Sequence, residues 1–343
     1  ISKDTPDGDP NYIPPVYPIL PFNKHPSNPI LTTNPDHDWE SAYIYNPTAI
    51  VLNETIFLLY RAQNASKTSS IGLAWSTDGV SFTRLNLPIV YATEPWERVG
   101  GTEDPRIVRI NGIFYLTYTA YDNSTARLCL ATSTDLLNWK KYPPLFPNWY
   151  DLSYNRIGMA MMRFNWTKSG AIITEPTPDG LYHMYFGDSS IFHATSPDLL
   201  NWTASPSEQP FMDRIHPWEN RLIEPGPAPI KTRDGRWILI YNGASLGTAG
   251  YNKSQYSTGQ TLIDPSGAFR PNVDVPDGQY QPALRDGPIA RLERPLLWPD
   301  ADNEVSGQVD LVVFSEGLVQ FKGKWYLYYG QGDSELGVAV SDV

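Results

Sequence analysis

Five related segments recur along this chain of 343 residues, and each combines an aromatic-rich strand with a polar turn. In every copy a tyrosine holds a similar place in the strand, and a loop leads from it toward further strand residues. These anchoring tyrosines are Tyr60, Tyr118, Tyr185, Tyr241 and Tyr329. Aromatics at every second position between tight turns predict antiparallel strand pairs. Because no long segment has a clean helical period of 3.6, we expect little helix.

Five copies of a small antiparallel sheet are best arranged radially, since each sheet then buries both faces and its edges stay short. We therefore predict an all-β chain in which residues 36–343 form a single catalytic domain, a five-bladed β-propeller. Residues 1–35 are rich in Pro, Asp and Asn and are predicted to form an irregular N-terminal arm. A β-sandwich with a similar number of strands is the alternative, but it does not require five matching copies.

Charge and composition limit the possible partners. The net charge is −11 and charged residues make up only 18% of the chain, which argues against nucleic acid and anionic membranes as partners. No apolar run is long enough to predict a membrane span. The single cysteine, Cys129, lies between two leucines and is predicted to be a small buried hydrophobe. The histidines are scattered without metal-ligand spacing, so we predict neither a metal nor a cofactor.

Six Asn-X-Ser/Thr sequons suggest a secreted protein that carries N-linked glycans, because one or two matches would be expected by chance. The start of the chain, which has neither an initiator Met nor a signal peptide, suggests a processed or trimmed N-terminus. The predicted glycosylation sites are Asn53, Asn64, Asn123, Asn165, Asn201 and Asn252.

Three acidic residues stand out by their context. Asp104 lies in a Gly-Thr-Glu-Asp-Pro-Arg string, Glu224 precedes a Pro-Gly-Pro-Ala-Pro run, and Glu316 is embedded in an apolar strand-like segment. A buried carboxylate is costly unless it is satisfied, so Glu316 is either functional or part of a salt bridge that closes the ring. Cleavage of a glycosidic bond needs an acid and a second carboxylate, which makes these three the candidate catalytic residues.

Four strings together resemble glycoside hydrolase family 130, and they occur in the family's order. They begin at Asn46 (Asn-Pro-Thr-Ala), Leu58 (Leu-Leu-Tyr-Arg-Ala), Gly101 (Gly-Thr-Glu-Asp-Pro-Arg-Ile) and Gly226 (Gly-Pro-Ala-Pro-Ile-Lys-Thr). The family comprises β-mannoside phosphorylases and β-mannosidases built on a five-bladed propeller. The resemblance extends from about residue 38 to the last residue.

The resemblance implies roles for several residues. Asp104 is the expected general acid, acting through a hydroxyl of the sugar. The residues expected to hold the mannose next to the cleaved bond are Asn46, Arg61, Arg106 and Asp333. The radial fold adds Asp188 and Asn242 as substrate-binding residues, because polar groups after the anchoring tyrosines are predicted to converge on one central funnel.

The chain departs from the phosphorylase pattern at three places. Asn242 stands where those enzymes carry a histidine, Asp188 follows the strand where they carry an arginine, and Leu222, Ile223 and Glu224 stand where they carry a lysine. Each change removes a cation or a phosphate donor, and carboxylates there repel phosphate. We therefore expect an inverting exo-β-mannosidase, with β-1,2-linked mannosides as the preferred substrate. Glu224 is the predicted base, with Glu316 assisting or sharing that role.

Three alternatives stay open. A phosphorylase requires a cationic pocket, for which Arg163, Lys168 or Arg221 are near enough in sequence. An arabinan- or fructan-directed hydrolase of a related five-bladed family requires Asp36 or Asp38 as its base. A non-catalytic sugar-binding propeller gains nothing from three buried acids. The linkage and the leaving sugar depend on loops such as residues 265–299, and the oligomeric state cannot be deduced from the sequence.

Overall fold

The strands form where the aromatic repeat predicts them. The computed structural model describes residues 5–152, 163–266 and 287–343. The strands in the first part are β1 (Asn23–Lys24), β2 (Tyr43–Leu52), β3 (Thr55–Gln63), β4 (Ser69–Ser76), β5 (Thr83–Arg84), β6 (Gly101–Ile110), β7 (Ile113–Tyr121), β8 (Ala126–Ser133), β9 (Lys140–Lys141) and β10 (Tyr150–Asp151). The later strands are β11 (Arg163–Phe164), β12 (Ala171–Ile172), β13 (Tyr182–Phe186), β14 (Phe192–Ser196), β15 (Thr203–Ala204), β16 (Leu222–Pro225), β17 (Ile230–Lys231), β18 (Trp237–Leu246), β19 (Lys253–Ile263), β20 (Ala290–Arg291), β21 (Val313–Phe321), β22 (Lys324–Gln331) and β23 (Glu335–Asp342).

Helical structure is almost absent from the described residues, so the prediction of a nearly all-β chain is confirmed. The only helical elements there are α1 (Asp302–Val305) and two 3₁₀ turns, Asp38–Glu40 and Pro95–Glu97. None of the helices found in this part of the chain is long and apolar enough to cross a membrane.

The strands make five antiparallel arrays. We name them array 1 (β2–β5), array 2 (β6–β9), array 3 (β12–β15), array 4 (β16–β20) and array 5 (β21–β23 with β1). Arrays 1 and 2 are joined at one parallel bridge between Ser69 and Gly101. β10 and β11 form a separate two-stranded ribbon. The first strand of arrays 2 and 5 is buried along its whole length, as expected for a strand covered on both faces.

The N-terminal arm is not wholly irregular. Asn23 and Lys24 pair with Val340 and Ala339, so this arm supplies the outer strand of array 5. Ile19 from the arm is also buried in an apolar cluster. The prediction that residues 1–35 lack regular structure is therefore wrong for β1, because a two-residue strand has no periodicity to detect.

Five buried apolar clusters lie between the arrays, and each is built by two of them. Successive arrays share four clusters, and arrays 5 and 1 share the fifth. Representative pairs, in the order 1–2, 2–3, 3–4, 4–5 and 5–1, are Leu59 and Leu116, Leu130 and Met184, Tyr185 and Leu239, Ile240 and Leu327, and Tyr328 and Leu58. The packing order is therefore cyclic, with the last array contacting the first. Cys129 is fully buried in the cluster between arrays 1 and 2, as predicted.

A buried ion pair contacts the anchoring tyrosine in each of arrays 1, 2, 4 and 5. Four tyrosine hydroxyls donate to buried glutamates at 2.7–2.9 Å, and each glutamate also pairs with a cation. The sets are Tyr60–Glu40–Arg84, Tyr118–Glu97–Lys141, Tyr241–Glu219–Arg291 and Tyr329–Glu304–Lys24. In the sequence, three of these glutamates follow a tryptophan, and this Trp-Glu repeat was not recognised as a structural signal.

Candidate active site

All five arrays, or the loops that enter them, contribute to one polar pocket of about 170 Å³. Its lining residues are Tyr45, Asn46, Arg61, Asp104, Lys168, Glu224, Tyr256, Val309, Val312, Phe314 and Asp333. Three carboxylates and two cations thus face one small space, opposite a mostly apolar wall. Of the predicted site residues, this pocket brings together Asn46, Arg61, Asp104, Glu224 and Asp333.

A larger pocket, of about 350 Å³, lies along further residues of the same inner strands. Most of its inner lining is apolar, as at Val51, Ile107 and Leu318. Its buried cation, Arg109, is paired with Asp7 at 2.6 Å. Because the three acids that stand together in the polar pocket are absent from this lining, the polar pocket is the better candidate for chemistry.

β2 and β6, the first strands of arrays 1 and 2, each contain a β-bulge that directs a polar side chain into the pocket. The pairing register shifts between Tyr45 and Pro47 in β2 and between Glu103 and Arg106 in β6. At these bulges Asn46 and Asp104 have φ values of 48° and 49°. Asn and Asp tolerate this left-handed region better than other side chains, and a bulge re-aims the side chain that it carries. The residue types thus explain the local geometry.

Gly101 is required where β6 begins. Its φ is 103°, and a Cβ added there would lie 2.0 Å from the carbonyl oxygen of Ser69. Only glycine allows β4 and β6 to approach this closely. The glycine that opens the Gly-Thr-Glu-Asp-Pro-Arg string therefore sets the position of Asp104 three residues later.

Asp104 is held between two cations. Its Oδ1 accepts a hydrogen bond from Arg61 Nη1 at 2.9 Å, and its Oδ2 lies 2.9 Å from Lys168 Nζ. Burial favours the neutral acid, but Lys168 and Arg61 outweigh burial and hold the pKa of Asp104 well below its usual range. The predicted general acid is therefore an ionised carboxylate in this arrangement.

Glu224 has the opposite electrostatic character. Only 6% of the residue is exposed, and burial raises the pKa of its carboxyl to about 7, with Lys168 opposing the shift and Asp188 adding to it. Ser169 Oγ donates a hydrogen bond to Glu224 Oε1. A carboxylate whose pKa lies near neutrality is suited to accept a proton from a nucleophile.

Arg61, Asn46 and Asp333 complete the polar wall. Arg61 donates to Glu103 Oε1 at 2.7 Å and stacks over the Tyr45 ring at 4.5 Å, so its planar group is fixed. No donor among the described residues reaches the buried Oδ1 of Asn46, which leaves an acceptor for a ligand hydroxyl. Burial raises the pKa of Asp333 to about 6, opposed by Arg61.

Arg106 and Glu316 are not among the residues that line the polar pocket. Arg106 donates to the carbonyl oxygens of Gly226 at 2.8 Å and Pro225 at 2.5 Å, and its Nη2 lies 2.8 Å from Glu316 Oε1. Both side chains are essentially inaccessible. Arg106 thus ties array 2 to arrays 4 and 5, and Glu316 forms the salt bridge that the sequence left open as an alternative, while the predicted roles of both residues stay predictions.

Asn242 is also a structural residue. It is fully buried, its amide donates to the carbonyl of Ser315, and its Oδ1 accepts from the amide of Ser315 and the hydroxyl of Thr258. The two bonds with Ser315 join arrays 4 and 5, and the bond from Thr258 lies within array 4. Asn242 does not line the polar pocket, and its predicted contact with substrate stays a prediction.

Asp188 lies beside the pocket but does not line it. It pairs with both guanidinium nitrogens of Arg163, at 2.6 and 3.1 Å, and accepts from Trp166 Nε1 at 3.1 Å. Burial favours the neutral acid, but Arg163 outweighs it and lowers the pKa of Asp188. In this structure Asp188 is engaged by Arg163 and Trp166, and its predicted contact with substrate stays a prediction.

Several pocket residues were not selected from the sequence. The sequence suggests Lys168 only as a cation for phosphate, and it gives no signal for Tyr256, for Phe314 or for Ser169, which contacts Glu224 without lining the pocket. Burial opposes the charge on Lys168, but Asp104 and Glu224 raise its pKa well above the usual value. The available signal was position, since Lys168 and Ser169 lie just before Gly170 and β12, the first strand of array 3, and Asn46 and Asp104 lie in the first strands of arrays 1 and 2.

The described residues contain no group of three or more His, Cys, Asp and Glu side chains arranged to hold a metal ion. Residues 267–286 of the loop that was expected to shape substrate entry lie outside the described residues.

Comparisons with known proteins identify relatives along nearly the whole chain. The model of glycoside hydrolase family 130, described as β-1,4-mannooligosaccharide phosphorylase, matches residues 21–343. A β-1,2-mannobiose phosphorylase of Thermoanaerobacter sp. strain X514 is 32% identical over 92% of this chain and 95% of its own. A 1,2-β-oligomannan phosphorylase of the same strain is 29% identical over 95% and 98%.

A solved structure supports the same relationship. It is described by the statement that the GH130 family of mannoside phosphorylases contains glycoside hydrolases that target β-1,2-mannosidic linkages in Candida mannan. It is 32% identical to this chain, covers 96% of both chains and superimposes with a TM-score of 0.80.

Proposed function

Because this chain belongs to glycoside hydrolase family 130, we propose that it removes terminal mannose from β-1,2-linked mannosides by a single displacement. The names of the relatives supply the linkage, since two act on β-1,2-linked mannosides. The pocket supplies the chemistry, since Asp104 and Glu224 face the same space. Two carboxyl groups on either side of a glycosidic bond are the requirement for inverting cleavage.

In this proposal Asp104 delivers the proton to the leaving oxygen and Glu224 accepts a proton from the attacking group. Asp104 must become protonated before it acts, so bound substrate has to weaken its pairing with Lys168 or Arg61. A hydroxyl of the sugar placed between Asp104 and the glycosidic oxygen can relay this proton. Asn46, Arg61 and Asp333 hold the other hydroxyl groups.

The geometry supports water as the acceptor best. The main observation in favour of water is the position of Glu224. Its buried carboxyl, with a pKa of about 7, lines the pocket where a nucleophile has to enter. Asp333 adds a second acid there, while the cations Lys168 and Arg61 are already paired with Asp104. A phosphate dianion would meet carboxylates at close range, and water would meet a base.

Phosphate is the second candidate, and the curated relatives favour it over water, since both are phosphorylases by name. Lys168 also places a cation in the pocket, and Arg163 lies behind Asp188. For phosphate to bind, Glu224 would have to be protonated and Lys168 would have to leave Asp104. Because hydrolysis also requires bound substrate to weaken the pairing of Asp104 with Lys168 or Arg61, protonation of Glu224 is the requirement that is specific to the phosphate path.

Product analysis on β-1,2-mannobiose, with and without inorganic phosphate, separates the two candidates. Hydrolysis predicts free mannose at a rate that phosphate does not change, with the α-anomer formed first because the displacement inverts the centre. Mannose 1-phosphate that forms only when phosphate is added would establish phosphorolysis and remove the base role of Glu224. No turnover of any β-mannoside would overturn both candidates.

The cyclic packing of the arrays leads us to infer a closed five-bladed propeller, with the polar pocket at one end of its axis. Two facts support this inference: each array shares a cluster with the next and the last shares one with the first, and all five arrays or their entry loops reach the pocket. A closed ring explains how residues far apart in sequence meet without a long connecting element.

We also propose that the chain is exported and carries N-linked glycans. Of the sequon asparagines, Asn53, Asn123, Asn165, Asn201 and Asn252 are exposed, and Asn64 is half-buried. Accessible sequons are substrates for glycosylation in a secreted eukaryotic protein. Expression in a secreting eukaryotic host followed by enzymatic deglycosylation tests this: a mass decrease is expected, and an unchanged mass would contradict it.

A further inference from the structure

Two neighbouring residues contact the two proposed catalytic carboxylates. Lys168 Nζ lies 2.9 Å from Asp104 Oδ2, and Ser169 Oγ donates a hydrogen bond to Glu224 Oε1. Ser169 is 1% exposed and Glu224 is 6% exposed, so this hydrogen bond is protected from bulk water. One dipeptide from the segment before array 3 therefore connects a carboxylate of array 2 with a carboxylate of array 4.

The backbone of this dipeptide is fixed in an uncommon conformation. Ser169 has a φ of 62°, in the left-handed region that disfavours side chains with a Cβ. The carbonyl of Lys168 accepts a hydrogen bond from the amide of Gly187 at 2.9 Å. A Cβ on the next residue, Gly170, would lie 2.7 Å from the sulfur of Met184. A strained residue that its surroundings hold in place is a reason to look for function.

We propose that Ser169 is a positioning residue for the nucleophile-activating carboxylate, fixing Glu224 so that one oxygen is occupied and the other is free to accept a proton. The inference rests on the proposed function, because it assigns the base to Glu224. A serine hydroxyl has one proton to donate. When that proton is given to Oε1, the rotation of the carboxyl group is restricted and Oε2 is left for the attacking molecule.

The hydroxyl also favours the ionised form of Glu224, since a hydrogen bond donated to a carboxylate stabilises its charge. Other charged or titratable groups act on Glu224 from every side, and the effect of Ser169 has to be measured against them. They are Lys168 before array 3, Asp188 after β13, Arg106 and Asp104 on β6, Tyr256 on β19 and Glu316 on β21.

The test compares Ser169→Ala and Ser169→Gly with the unaltered enzyme. Both variants remove the hydroxyl, but glycine adopts the left-handed backbone without the Cβ penalty that alanine shares with serine, so their stabilities are expected to differ. If Ser169 positions Glu224, both variants lose about tenfold in kcat near neutral pH, with KM changed by less than about twofold. The acidic limb of kcat/KM against pH is expected to move to higher pH in both.

A second measurement does not depend on activity. Titration of ¹³C-labelled glutamate carboxyls by NMR, with Glu224→Gln to assign the resonance, is expected to show a higher pKa for Glu224 in both Ser169 variants. An unchanged titration and an unchanged acidic limb would overturn the positioning role. If the unaltered enzyme cleaves no β-mannoside, the proposed function fails, while the titration still decides whether Ser169 controls the protonation of Glu224.

Discussion

At the scale of single residues, burial separates two glutamates that look alike in sequence. Glu224 lines the pocket and contacts Ser169, whereas Glu316 is completely buried against Arg106. Both carboxyls have raised pKa values, about 7 for Glu224 and about 8 for Glu316, and burial is the largest cause for each. A shifted pKa therefore does not identify the base; access to the pocket does.

Replacing Glu224 by glutamine is expected to reduce hydrolysis by at least about 100-fold, the usual contribution of a general base. The matched control is Glu316→Gln, which is expected to keep activity within about threefold because this residue does not reach the pocket. Initial rates on β-1,2-mannobiose measure both. Equal losses in the two variants would contradict the assignment, as would a fully active Glu224→Gln enzyme.

Glu224 also makes stability depend on pH. Its pKa rises from the ordinary 4.5 to about 7 on folding, so the folded protein holds this proton more tightly than the unfolded chain does. The resulting stability is fully present below pH 4.5 and is lost as the pH rises through 7. At pH 8 we expect the free energy of unfolding of Glu224→Gln to exceed that of the unaltered protein by up to about 3 kcal/mol, and its melting temperature to be higher.

That difference is expected to disappear near pH 4.5, where both forms are neutral. Thermal unfolding of the two proteins across this pH range measures the effect. If Glu224→Gln is less stable than the unaltered protein at pH 8, and by the same amount at pH 4.5, burial does not penalise the charge of Glu224.

At the scale of elements, the repeated ion pairs fix arrays 1, 2, 4 and 5 to the turns that precede them. In array 2 the buried Glu97 accepts from Tyr118 at 2.8 Å and from the amides of Thr93 and Glu94, and Lys141 Nζ lies 2.7 Å away. The glutamate thus connects a 3₁₀ turn with β7 and β9. A charge buried in this way is stable only while its partner remains.

Lys141→Met is expected to lower the free energy of unfolding by about 3 kcal/mol, because it leaves Glu97 buried without its cation. Lys324→Met is the matched control, since Lys324 and Asp342 form an exposed pair at 3.4 Å. That change is expected to cost less than about 1 kcal/mol. Urea unfolding measures the free energy of unfolding of both variants. Similar losses would show that the buried pair contributes no more to stability than the exposed pair.

The start of β6 provides a second test at this scale. Gly101→Ala places a Cβ against the Ser69 carbonyl at a φ of 103°, so β4 and β6 have to separate. Because Asp104 follows on the same strand, we expect both lower stability and a kcat reduced by about tenfold or more. Gly180→Ala is the control, as its φ is 83° but no atom lies within 4 Å of the added Cβ. Circular dichroism melting and initial rates distinguish the variants.

At the scale of the whole molecule, the two ends of the chain meet in array 5. β1 pairs with β23, and Lys24 binds Glu304 beneath Tyr329. Phe22 from the same arm is buried in the cluster between arrays 4 and 5. The N-terminal arm therefore completes the array that contacts both array 4 and array 1.

Removing residues 1–26 is expected to lower the melting temperature much more than Lys24→Ala does. The deletion takes away a strand, a cation and buried apolar surface together. Differential scanning calorimetry measures both variants. A truncated protein that melts at the same temperature as the unaltered one would show that the arm contributes nothing to stability.

The sequence by itself determined the repeat and therefore the strands. Alternating aromatics around Tyr60, Tyr118, Tyr185, Tyr241 and Tyr329 predicted hairpins that the structure contains, because strand periodicity is a local property. The resemblance to family 130 implied roles for Asn46, Arg61, Asp104 and Asp333, and the context of Glu224 singled it out; the pocket brings these five together. The same resemblance also named Arg106, which does not line the pocket.

Only the tertiary structure decided which polar residues face the pocket and which join the arrays. Arg106 and Glu316 stand two residues from Asp104 and Phe314 in the pocket lining, and Asn242 pairs with Glu224 across two strands, yet their side chains contact carbonyls and charges between arrays. Lys168 and Ser169 became relevant because they contact carboxylates from arrays 2 and 4. A bulge shifts a side chain to the opposite face of a strand, and ion pairing depends on neighbours more than 50 residues away, so neither is encoded in local periodicity.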